Sequence, residues 1–290
     1  MRAWPPIEEP ELLARLALDD EEFFAAAHKL AAAWGPREYK PELLERALGY
    51  PWERPQSSYL FRDGEATLLS DLDSAQREST VAAFTADRHP ILAFGGNAAP
   101  SWLTMKFGHF PDREDKDILV LAGELHDVDV GASASPSPMG NLPGTLFASP
   151  GTAVRATMLW CTARQLTQLT WTEIPYLLAR LDDAVFTMDE ADVEVEEVFA
   201  YVSRFGAFCV DGAPIALAAV PARNRTAKAL TQEELLDLVA PQVLGDGARA
   251  EDLVRAVWED MPGVVARAAE TVWPCSQQLQ APWTRYPAAA

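Results

Sequence analysis

The chain has 290 residues, 49% of them hydrophobic and 23% charged, a globular mixture that argues against a disordered chain. Its formal net charge of −19 repels phosphate backbones and anionic lipid, which argues against nucleic acid and membrane surfaces as partners. A small anionic ligand stays compatible with that charge, because a local nest of amides opposes the global field.

The first third reads as helix. PELLARLALDDEEFFAAAHKLAAAWG places Leu12, Leu13 and Leu16, then Phe23, Phe24, Ala27, Leu30 and Ala31, at helical spacing. Asp19 or Asp20 caps the second segment and Gly35-Pro36 stops it. KPELLERALG predicts a third helix ended by Gly49, YPWERPQ a Pro- and Trp-rich connector, and SSYLFRDGEATLL a hairpin about Asp63-Gly64.

From Pro90 the pattern changes to strands and turns. ILAF is a fully apolar strand that runs into Gly95-Gly96-Asn97, and DILVLAGELHDVDVGAS is a long strand. GASASPSPMGN, residues 131–141, is a Ser/Pro/Gly-rich loop inside this region. GTLFASPGTAVRATMLWCT predicts two strands about Pro150-Gly151. Thr162 caps a short helix, ARQLTQL, and Thr172 a second, EIPYLLARLDD, which makes Glu173 its first residue. Two more strands follow about Asp211-Gly212, and the last 60 or so residues return to helix in TQEELLDLVAPQVLG, RAEDLVRAVWEDM and GVVARAAETVW. The expected fold class is α+β, a centre of five to seven strands flanked by helices. Three segments are expected: a helical extension with a hairpin (1–87), a β-rich domain (88–222) and a C-terminal helical segment packed on it (223–290).

Several chemistries are missing from the sequence. There is no GxxxxGK[ST], and Gly95-Gly96 lacks the third glycine of a dinucleotide fingerprint. His28, His89, His109 and His126 share no metal-ligand spacing, so no metal is expected. Ser133 and Ser135 in GASAS are followed by Pro-Ser-Pro-Met-Gly, which reads as a loop and not as a nucleophile elbow. Cys161, Cys209 and Cys275 form no CxxC pair and read as structural thiols of a reducing compartment. The start, MRAWPPIEEPELL, has no apolar signal region and no stretch approaches about 18 apolar residues, so the expected location is cytoplasmic. Glu173 stands out among the acids. As a helix-start residue it is an ordinary carboxylate favoured by about 0.3–1 kcal/mol, whereas flanking Trp171 and Tyr176 supply apolar surroundings suited to a base.

Three pieces in fixed order resemble the γ-glutamylcyclotransferase family over roughly residues 88–222. Ala93-Phe94-Gly95-Gly96-Asn97 is similar to that family's Tyr-Gly-Ser-Asn loop, LHDVDVG (125–131) to its next strand, and GTLFASPGTAVRATMLWCTARQLTQLTWTE to its most recognisable run, which ends on a glutamate. The resemblance implies a small mixed β-barrel with flanking helices and a cofactor-independent acyltransferase or lyase reaction. The free α-amine of a γ-glutamyl group attacks its own γ-carbonyl and releases 5-oxoproline and an amine. It also implies that Glu173 is the general acid/base, that Phe94, Gly95, Gly96, Asn97, Ala98 and Tyr176 bind the substrate, and that the partner is a small γ-glutamyl-containing molecule.

The loop departs from the family pattern. Its tyrosine is Phe94 and its serine Gly96, so two hydroxyls are gone, and Glu173 is followed by Ile-Pro-Tyr in place of glycine. The later segment that supplies a pocket tyrosine reads ARNRTAKALTQEE, which leaves Arg223, Arg225 or Lys228 as polar replacements. Two further functions share the scaffold: a non-catalytic binding module, and an amidase or hydrolase that uses water as nucleophile.

Overall fold

The computed structural model describes residues 7–173, 175–191 and 193–287; the side chains of residues 26–28 and 30 also lie outside the description, and with them the expectations for Ala27, His28 and Leu30. Apolar spacing produces α1 (Pro10–Ala17) and α2 (Asp20–Ala32), which bury Leu12, Leu16, Phe23 and Ala31, and then α3 (Glu42–Leu48), closed by Gly49. The hairpin is β1 (Tyr59–Arg62) and β2 (Glu65–Leu68), with Asp63 and Gly64 both at positive φ in the turn. Helix α4 (Ser74–Thr85) follows behind an Asp73–Gln76 capping box. Next come β3 (His89–Ala93), α5 (Pro100–Phe107), β4 (Ile118–Ala132) and β5 (Gly144–Cys161). α6 (Ala163–Thr172) starts on the expected Thr162 cap, here a full capping box with Gln165.

The second half contains β6 (Tyr176–Leu181), β7 (Phe186–Met188), β8 (Val198–Ser203), β9 (Cys209–Val210), β10 (Ala213–Pro214), β11 (Ala216–Leu217), β12 (Ala222–Arg223) and β13 (Ala229–Leu230). It closes with α7 (Gln232–Leu244), α8 (Ala250–Glu259), α9 (Met261–Thr271) and β14 (Trp283–Tyr286). The fold is α+β. Among the described residues its sheet of 12 strands follows the path β13-β11-β4-β5-β3-β8-β6-β14, with β1, β2, β7 and β12 attached at the sides. This exceeds the expected five to seven strands because many pairings last only two or three residues. The two ends of the path are not paired to each other among the described residues.

Two expected elements differ. EIPYLLARLDD is not a helix: its core is β6, paired antiparallel to β8 on one side and to β14 on the other. A short apolar run fits a buried strand as well as a helix, and the two flanking strands decide it. The Pro150-Gly151 feature is not a turn between two strands. β5 continues through it along the same partner, β4, and residues 149–152 bulge out opposite Asp127, whose carboxylate accepts the Gly151 amide at 2.8 Å.

Strand alternation sends Ile91, Ala93, Val120, Leu159, Leu178 and Tyr201 to one face of the sheet, and Leu92, Leu121, Met158, Ala200 and Val202 to the other. Helices α1, α5 and α6 cover the first face, and α2, α3 and α7–α9 pack on the second, so both faces are dry. Burial on both faces explains why ILAF carries no polar alternation. All three expected segments contribute to this sheet: β1 and β2 from the first, β13 and β14 from the last. Among the described residues no helix is long and apolar enough to cross a membrane.

Candidate functional site

β3 ends at Ala93, and Phe94-Gly95 lead into a single 3-10 turn, Gly96–Ala98, before Pro100 starts α5. Helix α5 lies beside α6 on the same face of the sheet, and the two elements aim their functional side chains at each other. Glu173 is the C-cap of α6 and not the first residue of a helix, because the segment after it enters β6. Its carboxylate is 15% exposed.

Oε1 of Glu173 accepts from Asn97 Nδ2 at 3.1 Å and from Lys106 Nζ at 3.1 Å. The same ammonium donates to Asn97 Oδ1 at 2.6 Å and to Thr172 Oγ1 at 2.7 Å, so its three protons are placed. Thr172 in turn donates to the Leu169 carbonyl at 2.6 Å. Lys106, in the last turn of α5, is 5% exposed. Burial lowers its pKa, and the Glu173 charge opposes that shift. A carboxylate at a helix C-terminus is disfavoured by the helix dipole; a cation there is favoured, so Lys106 offsets both that repulsion and the burial of Glu173. Glu173 Oε2 accepts no hydrogen bond among the described residues. The result is a carboxylate anchored through one oxygen with the other left over, beside an exposed Thr172 and a half-buried Asn97.

The glycines of the loop have a different cause from the one expected. A Cβ on Gly95 would stand 2.2 Å from the Tyr50 hydroxyl oxygen, and one on Gly96 2.3 Å from the Trp52 ring and 2.6 Å from Trp102 Nε1. Close approach of aromatic groups, not an open amide nest, requires glycine here. Tyr50 and Trp52 come from the connector after α3; Trp52 stacks edge-on against both Tyr50 and Trp102, with centroids 5.1 and 4.6 Å away. Tyr50 Oη accepts the Gly144 amide at 2.7 Å. Arg54 donates to the carbonyls of Gly95 at 2.5 Å and Phe94 at 3.3 Å.

The other expected site residues take the following places. Phe94 and Ala98 are buried, and the Ala98 carbonyl accepts from Tyr59 Oη at 2.5 Å. Tyr176 is buried and donates to the Gly144 carbonyl at 3.1 Å; burial pushes its pKa well up. Trp171 faces away, donating to Glu9 at 2.6 Å. The basic replacements are not at the site. Arg223 pairs with Glu124, and Arg225 forks onto Asp129 at 2.7 and 2.8 Å because that fully buried carboxylate needs a cation. The Lys228 carbonyl pairs with Ala216. Ser133 is buried against Ser203, 2.7 Å away. Cys161 is buried with its pKa pushed up to about 12, an inert thiol. Among the described residues no cluster of three or more His, Cys, Asp and Glu side chains is arranged to hold a metal ion.

Sequence reasoning missed Lys106, Tyr50, Trp52 and Arg54. Lys106 was readable only as a lysine nine residues after Asn97, and nothing in YPWERPQ pointed to the loop. Of two clefts among the described residues, the larger, about 1060 Å³, lies between α4 and residues 188–191, 193 and 194 and touches none of these groups. The smaller, about 720 Å³, is lined by residues 53–57 and by Pro100 and Ser101, so it adjoins the loop through Arg54. Comparison with family models, with curated proteins and with solved structures finds no match to this chain.

Proposed function

We propose that the chain is a γ-glutamylcyclotransferase-like enzyme with Glu173 as its general acid/base, built on a curved sheet related to the small barrel of that family. One observation carries the reading: Asn97 and Glu173, 76 residues apart in the chain, meet at 3.1 Å, with Lys106 holding the same carboxylate oxygen. A charged side chain fixed through Oε1, with Oε2 uncommitted, is arranged to take and return a proton.

In the proposed reaction the substrate's α-ammonium gives a proton to Glu173 Oε2. The resulting amine attacks the γ-carbonyl carbon, and a C–N bond closes a five-membered ring, a step assisted by proximity. The tetrahedral intermediate collapses by breaking the bond to the leaving nitrogen, which takes the proton from Glu173. The attacking nitrogen's second surplus proton ends on the released amine, so 5-oxoproline and an ammonium product balance the substrate. Asn97 and Lys106 keep the carboxylate oriented through the cycle. The 720 Å³ cleft beside Arg54 is suited to the leaving group.

A second reading has its own observation. Tyr50 Oη already occupies the Gly144 amide, and the Lys106 ammonium already sits on Glu173, as substrate groups would. That self-occupancy favours a non-catalytic module on the same scaffold. Incubation with a panel of γ-glutamyl peptides and γ-glutamyl amines separates the two. Release of 5-oxoproline that is lost in Glu173→Gln supports the enzyme; free glutamate identifies a hydrolase; no product, or activity untouched by Glu173→Gln, rejects the assignment.

A further inference from the structure

Buried hydroxyls in this region give their protons to acceptors. Tyr59 donates to the Ala98 carbonyl at 2.5 Å and Tyr176 to the Gly144 carbonyl at 3.1 Å, while Tyr201 pairs with Thr170 Oγ1 at 2.7 Å. Tyr50 does not. It is 6% exposed, its oxygen accepts the Gly144 amide, and its own proton has no acceptor among the described residues. Native structures rarely leave a buried donor unmade, and one that persists marks a place where a ligand or water completes the bond.

Two features keep this group a donor. The amide bond received on the oxygen polarises the O–H and fixes its position. Burial also keeps the phenol protonated far above neutrality, with a pKa of about 12, and the nearby Glu173 charge acts in the same direction. The surroundings are shaped around it: Gly95 has no room for a Cβ beneath the phenol oxygen, and Gly144 is held from its other side by Tyr176.

We propose that Tyr50, supplied by the connector after α3, is a catalytic residue of this site: its hydroxyl donates to the γ-carbonyl oxygen of the substrate and stabilises the negative charge that develops there during ring closure. The proposal rests on the cyclotransferase reading, and it divides the chemistry between two groups. Glu173 moves the amine proton, and Tyr50 serves the oxygen. It also gives the N-terminal segment a chemical role, as the source of a hydroxyl that the loop, with Phe94 and Gly96, does not carry.

The test measures 5-oxoproline release by the full chain with γ-glutamyl amines, for the wild type, Tyr50→Phe and Tyr201→Phe. The expected result for Tyr50→Phe is a loss in kcat of about 10²–10³-fold, with KM little changed. Tyr201→Phe, a buried tyrosine whose hydroxyl meets Thr170 Oγ1, is expected to lose less than about tenfold; an equal loss in both variants would mean a structural effect and overturn the proposal. Activity of Tyr50→Phe within about threefold of wild type overturns it while leaving the Glu173 reading intact. A wild type inactive on every substrate overturns both. If Tyr50→Phe does not fold, 3-fluorotyrosine incorporated at position 50 keeps the size and acidifies the phenol. The alkaline limb of the kcat profile then moves to lower pH, and an unmoved limb rejects the proposal.

Discussion

Two carboxylates reach into the protein with a cation beside them, and they are used differently. Asp129 on β4 is fully buried, and both its oxygens are committed: Oδ2 to Arg225 Nε at 2.7 Å, Oδ1 to Arg225 Nη2 and to the Val130 amide, each at 2.8 Å. Glu173 is part-exposed, and only Oε1 is committed, to Asn97 and Lys106. In the first pair neither oxygen is free of a bond. The second is anchored and still has one oxygen to spend. Hydrogen bonding to both oxygens, together with full burial, separates the structural ion pair from the candidate for proton transfer.

The most direct way to break this comparison is Glu173→Gln. It is expected to reduce 5-oxoproline formation by about 10²–10⁴-fold, the range of general acid–base catalysis, as read by single-turnover product assay. Asp129→Asn is the matched control. It leaves Arg225 without its charge partner and should cost about 3–5 kcal/mol in urea unfolding, with activity per folded molecule unchanged. Loss of activity with full stability in that variant would erase the distinction between the two pairs.

Alkaline unfolding sharpens the site side. Burial raises the pKa of Tyr50 from 10.0 to about 12, and those of Tyr59, Tyr176 and Tyr201 also rise. Between the unfolded and folded values the unfolded chain has lost protons that the folded chain keeps, so stability falls as pH rises above about 10. Tyr50 alone accounts for about 2–3 kcal/mol of that fall, and Tyr50→Phe should flatten the slope by that amount. Lys106 acts with the opposite sign: its lowered pKa means that the folded state releases a proton first, so its contribution rises with pH up to the unfolded value of 10.5. The tyrosines outnumber it, and a net rise of stability from pH 10 to 12 would contradict their burial.

The smallest expected effect is steric. Gly96→Ala drives a methyl into Trp52 and Trp102 and should cost about 1–3 kcal/mol, read as a lowered melting temperature. Trp52→Ala in the same chain relieves part of that cost, and strict additivity of the two would show that the rings do not set the glycine requirement.

Much of the fold was legible along the chain. Helical spacing and local caps located α1, α2, α3 and α6, and Thr162 capped α6 as its hydroxyl chemistry requires. YLLARL was misread because a wholly apolar run has no period, and only its flanking strands fix its state. At the site, Asn97 and Glu173 were legible as residues, but the reason for the glycines was not. It resides in Tyr50 and Trp52, more than forty positions earlier.

The sequence by itself determined the α+β class, the helical ends and the apolar strand entering Gly95-Gly96, because these depend on spacing and local bonding. Tertiary structure alone decided that Glu173 ends a helix, that Lys106 neutralises it, that Arg225 serves Asp129 instead, and that a tyrosine from the N-terminal segment rests on the loop. Each is a pairing between distant segments, chosen by which buried donors and acceptors the packed sheet and helices bring within bonding distance.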